Sequence, residues 1–176
     1  MAGSDIFSRY FSKMKGSGRT APLARPKPAD IVVTVCGFFL GITLIVCLFD
    51  KDNLLAAASF GASSVLVFGV PDAAMAQPRN VIFGNIFSAV AGVITVYLFG
   101  FNWWSPAVGT ALAMLIMLLT GTTHPPGGAV ALSAIMHEAS IRYIFMPIAA
   151  GAIILVLVGM LVNNLSPHRQ YPKYWF

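Results

Sequence analysis

Long apolar blocks separated by short polar stretches fill this chain. Four of them, residues 31–49, 81–99, 104–120 and 143–165, are long enough, or nearly so, to cross a hydrocarbon core about 30 Å thick as helices. Between them lie two shorter pieces, 54–70 and 125–136, rich in Gly, Ala and Ser rather than Leu. The order is long, short, long, twice over. A shift of 67 lays Gly61-Ala62 on Gly128-Ala129, Val65-Leu66 on Leu132-Ser133, Phe68 on Ile135, and Gly84-Asn85-Ile86 on Gly151-Ala152-Ile153.

The expected fold is an all-α membrane protein with four full transmembrane helices. Two short Gly-rich broken or re-entrant helices complete two related halves, about 30–100 and 101–166. If the short pieces re-enter, four segments cross and the halves are parallel repeats; if they span, six cross and the halves are inverted. As helices the short pieces reach roughly 25 Å and roughly 18 Å, which favours re-entrant or broken helices.

Composition agrees with the pattern. Of 176 residues, 57% are apolar and only 10% charged, and the loops are too short to supply a soluble domain's polar surface. No secretory signal opens the chain, so its first apolar block is expected to stay as an anchor. Cys36 and Cys47 share that block roughly 16 Å apart, too far to bridge. The net charge of +5 comes largely from an N-terminal arm, residues 1–29, and a tail, 167–176. Basic residues beside a membrane segment answer to lipid and to the positive-inside rule, not to nucleic acid. Both ends are therefore expected in the cytoplasm of an inner-membrane, multi-pass protein. In DIFSRYFSKMKG, residues 5–16, Ile6, Phe7, Tyr10 and Phe11 oppose Arg9, Lys13 and Lys15, as in a short interfacial helix.

One stretch, TGTTHPPGGAVALSAIM (120–136), breaks the apolar pattern. Paired prolines suit only a helix's first turn, so a helix is expected to begin near Pro125 and to present free N–H groups at Gly127 and Gly128. Such an end favours anions, and exposed backbone at membrane depth is tolerated only inside protein or beside a wet cavity. SFGASS (59–64) is expected to offer the equivalent surface. The candidate site takes Ser59, Gly61, Ala62 and Ser63 from one half and Thr123, His124, Gly127 and Gly128 from the other, with Arg79 and Asn80. Gln77, Asn80 and Asn85 are expected around Arg79, and Glu138 is expected to pair with Arg142 at i, i+4. No HExxH or CxxC spacing calls for a metal, and nothing calls for a cofactor. Gly37/Gly41 and Gly84/Ser88/Gly92 form small-residue faces that suit helix association, so a homo-oligomer is expected.

THPPGGAVAL, with SFGASSVLVFGVPDAAMAQPRN upstream, resembles the HPP family of small integral membrane proteins, over residues 13 to 165. The resemblance implies four transmembrane helices and, by analogy with members in photosynthetic organisms, nitrite transport. Some members carry appended CBS domains; this chain ends soon after its last helix and is expected to have none. The expectation is a transporter or channel for a small monovalent inorganic anion such as nitrite, working among membrane lipids. An intramembrane enzyme using His124 as base, or an assembly protein whose glycines serve packing, are its rivals.

Overall fold

Prolines and glycines punctuate the chain as helix ends require. Pro28, Pro78, Pro106 and Pro126 lie in the first turns of four helices, where a missing N–H costs nothing. Gly100 and Gly121, both at φ 65°, close two of them at the C-terminal end. The computed structural model describes residues 26–48 and 54–176. Its α-helices are α1 (Pro28–Leu48), α2 (Leu54–Ser64), α3 (Pro78–Phe99), α4 (Ser105–Thr120), α5 (Pro126–Met136) and α6 (Ala150–Asn163). A π-helical turn, Val65–Gly69, extends α2, and a second, Ile144–Ala149, precedes α6 with a kink at Met146. No strand occurs among the described residues. The interfacial helix expected over residues 5–16 lies outside them.

Three helical stretches are long and apolar enough to cross a membrane: Pro28–Cys47, Pro78–Phe99 and Ile144–Asn163, of 20, 22 and 20 residues. The fourth expected span is the 16-residue α4, about 24 Å long and short of a full hydrocarbon core.

Contacts between helices fix their directions. Going up α1, Asp30, Thr34, Gly37 and Gly41 meet Ser166, Arg169, Val162 and Leu155, so α6 runs antiparallel to α1. The end of α2 returns to the starting third of α1, where Phe68 lies against Gly37 and its carbonyl accepts from Thr34 at 3.0 Å. Helix α3 starts at that same end. Helix α5 runs parallel to it, since Gly84 abuts His124 while Gly92 abuts Ala131 and Ala134. Helix α4 opposes both, with Arg79 beside Thr120 and Thr95 beside Gly109.

The six helices therefore alternate in direction. One end of the bundle, here the proximal end, gathers residues 27–30, 68–79, 120–126 and 163–173. The other, distal end gathers the start of α2, the α3–α4 turn and the α5–α6 connection. Helix α2 leaves the distal end and delivers Phe68 to the proximal one. Ser59, Ser63 and Ser64, all buried, keep α2 narrow enough to run between α1, α5 and α6.

Certain contacts recur at the shift seen in the sequence. A methyl at Gly92 would stand 2.7 Å from Ala134 Cβ, and one at Gly159 would stand 2.6 Å from Val67 Cγ1. Both members of the second pair differ from the first by 67, with the halves exchanged. Phe68 fills the space left by Gly37 and Gly41, as its mate Ile135 fills that left by Gly109. The small-residue faces expected to meet another copy are thus consumed inside the chain, because they let α3 approach α5 and α1 approach the end of α2.

The last ten residues are not a free tail. Arg169, only 10% exposed, donates to the carbonyls of Phe68 and Asp30 at 2.9 and 3.1 Å, to Thr34 Oγ1 at 2.8 Å and to Asn163 Oδ1 at 3.2 Å. Its Nε lies 3.6 Å from the Asp30 carboxylate, which also accepts from Ser166. Tyr171 is buried and donates to Ala76 O at 2.8 Å, and Lys173 pairs with Asp72 at 3.0 Å. Tyr143 and Tyr171 are interior residues whose hydroxyls donate to the carbonyls of Val130 and Ala76. Glu138 and Arg142 form no ion pair, since α5 ends at Met136 and Glu138 takes φ 47°, which destroys the i, i+4 geometry.

Candidate polar site between the two halves

The proline pair ends one helix path and begins another, so residues 121–125 carry backbone groups that neither α4 nor α5 satisfies. Thr123 O finds its partner on α3, and the His124 side chain finds one on α2. Asn80 Nδ2 donates to Thr123 O at 2.9 Å, and Arg79 donates to Thr120 O at 2.8 Å, at the negative end of α4. Gly84 lets the turn lie directly on α3, because a methyl there would stand 2.6 Å from His124 Cβ and 2.7 Å from Thr122 O. Ser88, one turn further, faces Gly127 and donates to Met117 Sδ at 3.7 Å.

His124 is fully buried at the centre of this arrangement. Its Nδ1 lies 2.8 Å from Met75 O and its Nε2 lies 2.8 Å from Ser63 Oγ. A carbonyl only accepts, so Nδ1 carries the proton; in the neutral imidazole Nε2 then accepts and the Ser63 hydroxyl donates. This hydrogen bond joins the two halves of the chain. Ser59, Ser63 and Ser64 on α2, Asn80, Asn85 and Ser88 on α3, and Thr122 are all buried. Ser64 Oγ and Asn85 Oδ1 have no hydrogen-bond partner.

The structure thus brings together Ser63 and His124, and Asn80 and Thr123. It also corrects parts of the sequence reading. Gly127 N–H and Gly128 N–H donate to the carbonyls of His124 and Pro125 at 2.9 and 3.1 Å, so the helix start offers them to no anion. Gly127 is a packing glycine against Ser88. Ser59 to Ser63 occupy the later part of α2, not its N-terminus. Gly61 and Gly128, which are mates at the shift of 67, have open space at Cβ and do not face the His124 turn; Ala62 is exposed. Gln77 and Asn85 do not surround Arg79: Gln77 donates to Pro71 O and Ala73 O, and Asn85 donates to Val81 O.

Sequence reasoning did not select Gly84, Ser88 or the Met75 carbonyl for this site. The i, i+4, i+8 spacing of Asn80, Gly84 and Ser88 is a legible signal for one polar, narrow helix face. The carbonyl has none.

No carboxylate reaches this region among the described residues: Asp30 and Asp72 pair with Arg169 and Lys173, and Glu138 is exposed toward the distal end. As nucleophile and base, Ser63 and His124 would have the right separation, but the group orienting Nδ1 is a neutral carbonyl and neither side chain is accessible.

A family model described as "HPP, transmembrane region" matches residues 23–172. Two transmembrane proteins of Dictyostelium discoideum are each 36% identical, over 96% and 97% of this chain and 64% and 58% of their own lengths. The chain therefore spans about three fifths of the curated relatives it matches. No solved structure matches.

Proposed function

Because this chain belongs to the HPP family of integral membrane proteins, we propose that it moves a small monovalent inorganic anion, nitrite or one like it, across an inner membrane. The observation that carries the reading is a buried polar seam between two halves, joined by Ser63 and His124, into which no described residue brings a carboxylate. A cation path needs carboxylates or rings of inward carbonyls. Here the carbonyls of Thr123 and Thr120 are taken by Asn80 and Arg79, and Arg79 brings a positive charge to the end of α4. Four of its five N–H groups remain for an anion.

In this reading all six helices cross the bilayer, α4 and the two short helices through a thinned or protein-shielded layer. The proximal end, with Lys27, Arg79, Arg169 and Lys173, faces the cytoplasm. The halves are then inverted repeats, and the polar seam lies between them, where transporters of that build hold their substrates.

The test is ion flux into liposomes containing the purified full chain. Nitrite, nitrate and chloride are offered against sodium and potassium, and uptake of at least one anion with exclusion of both cations is expected. Cation passage without anion passage overturns the reading. The Arg79→Gln variant is expected to lose about tenfold or more of the anion flux, which corresponds to about 1.4 kcal/mol.

A further inference from the structure

The contacts that recur at a shift of 67 make one half of the chain a control for the other. Val67 meets Gly159, and Gly92 meets Ala134; each partner of one pair is the 67-residue mate of a partner in the other. Such exchange is the signature of a two-fold relation, in which i touches j and the mate of j touches the mate of i. In that register Asn85 and Ser64 have Ala152 and Ala131 as mates, and both alanines are fully buried. A methyl group therefore satisfies the packing at these places, and the polar atoms of Asn85 and Ser64 serve something other than the fold.

Both carry an atom without a partner. Asn85 Nδ2 donates to Val81 O at 2.8 Å, which fixes the orientation of the amide and leaves Oδ1 as an acceptor that meets no donor. Ser64 Oγ meets neither donor nor acceptor. Buried polar atoms in this condition are costly and call for a ligand or an ordered solvent molecule. We propose that Asn85 Oδ1 and Ser64 Oγ are each a ligand atom for an O–H donor taken into the bundle, either resident water or the protonated form of a small oxyacid.

The amide oxygen can only accept, so it repels a bare anion and selects a guest that presents hydrogen. A cationic N–H donor would require a neighbouring carboxylate, and the buried one among the described residues, Asp30, is held by Arg169 and Ser166 at the proximal end. The inference rests on the transport reading only in treating the guest as one in transit. It adds that an anion passing here does so hydrated or carrying its proton.

The decisive variants replace each residue by its own mate, Asn85→Ala and Ser64→Ala, in the full chain. Three quantities are read: the midpoint of thermal unfolding with and without nitrite at about pH 5 and about pH 8, nitrite flux per folded protein, and density beside Asn85 Oδ1 in an experimental structure. Both variants are expected to unfold at the parent's temperature or above it, while flux falls about tenfold or more. Stabilisation by nitrite that grows as pH falls and disappears in Asn85→Ala identifies the protonated acid. Density present without nitrite, and no response to it, identifies water. A lowered midpoint for Asn85→Ala with unchanged flux makes the amide a structural group and overturns the proposal. If the parent moves no nitrite, the transport reading falls; the midpoint and the density still decide this one, with a lowered midpoint and no density overturning it.

Discussion

Two arginines show how little a residue's type says about its role. Arg79 is isolated in the sequence beside three amides, yet a single carbonyl at the end of α4 is its one partner among the described residues. Arg169 sits in a polar tail and is the most heavily bonded cation among the described residues, holding α1, the π-helical end of α2 and α6 together. Removing it leaves the Asp30 carboxylate, at low exposure, with Ser166 but no cation, and the Phe68 carbonyl with Thr34 as its remaining donor. Arg169→Ala is expected to cost about 3–5 kcal/mol, and Arg169→Lys to recover little, because an ammonium cannot reproduce a planar fork of donors. Thermal unfolding of the detergent-solubilised chain checks both; a lysine variant as stable as the parent would show that charge alone suffices. At His124 the smaller change is sharper. Ser63→Ala removes the donor to Nε2 and leaves it buried and unpaired, which is expected to cost about 1–3 kcal/mol in the same assay.

The helices themselves were largely legible, because length and hydrophobicity are written residue by residue. The expected start near Pro125 falls one residue before the observed Pro126, and the ends at Phe99 and Thr120 agree. Their relation was not legible. Glycines that suit an intermolecular face suit an intramolecular one equally, and only the contacts distinguish them. The π-helical turn at Val65–Gly69 has no sequence signal either; it exposes the Phe68 carbonyl to Thr34 and Arg169, groups 34 and 101 positions away. The candidate site was half legible: His124, Ser63, Asn80 and Thr123 meet, whereas the glycine N–H groups are spent on local turns. The glycines now divide into two kinds with opposite expectations. Gly92→Val and Gly159→Val should each destabilise by about 1–3 kcal/mol or more, and similarly, since they occupy exchanged positions of one contact. Gly61→Ala and Gly128→Ala, open at Cβ, should stabilise by about 0.5–1 kcal/mol through helix propensity. Paired unfolding curves check the set, and destabilisation at Gly61 and Gly128 equal to that at Gly92 would refute the division.

For the whole molecule, the question is how many times the chain crosses the membrane, and one loop decides it. The 70–77 segment joins α2 to α3. Had α2 dipped in and returned, this segment would lie on the side opposite both termini. Instead Asp72 pairs with Lys173, Ala76 accepts from Tyr171, and Gln77 Oε1 accepts from Lys173 N–H at 2.8 Å, so it shares the proximal end with the C-terminal residues. Lys27 lies 3.1 Å from His168, which puts the start of α1 there too. Trp103, between α3 and α4, and Glu138, after α5, stand at the distal end and are exposed. Single cysteines at positions 27, 72, 103, 138 and 173, in a background with Cys36 and Cys47 replaced, turn this into a labelling experiment with a membrane-impermeant thiol reagent. Positions 27, 72 and 173 should react from the cytoplasmic side, and 103 and 138 from the other. Labelling of position 72 together with 138, opposite 27, 103 and 173, would restore a re-entrant α2 and parallel halves. It would also remove the inverted pairing on which the comparison of Asn85 with Ala152 depends.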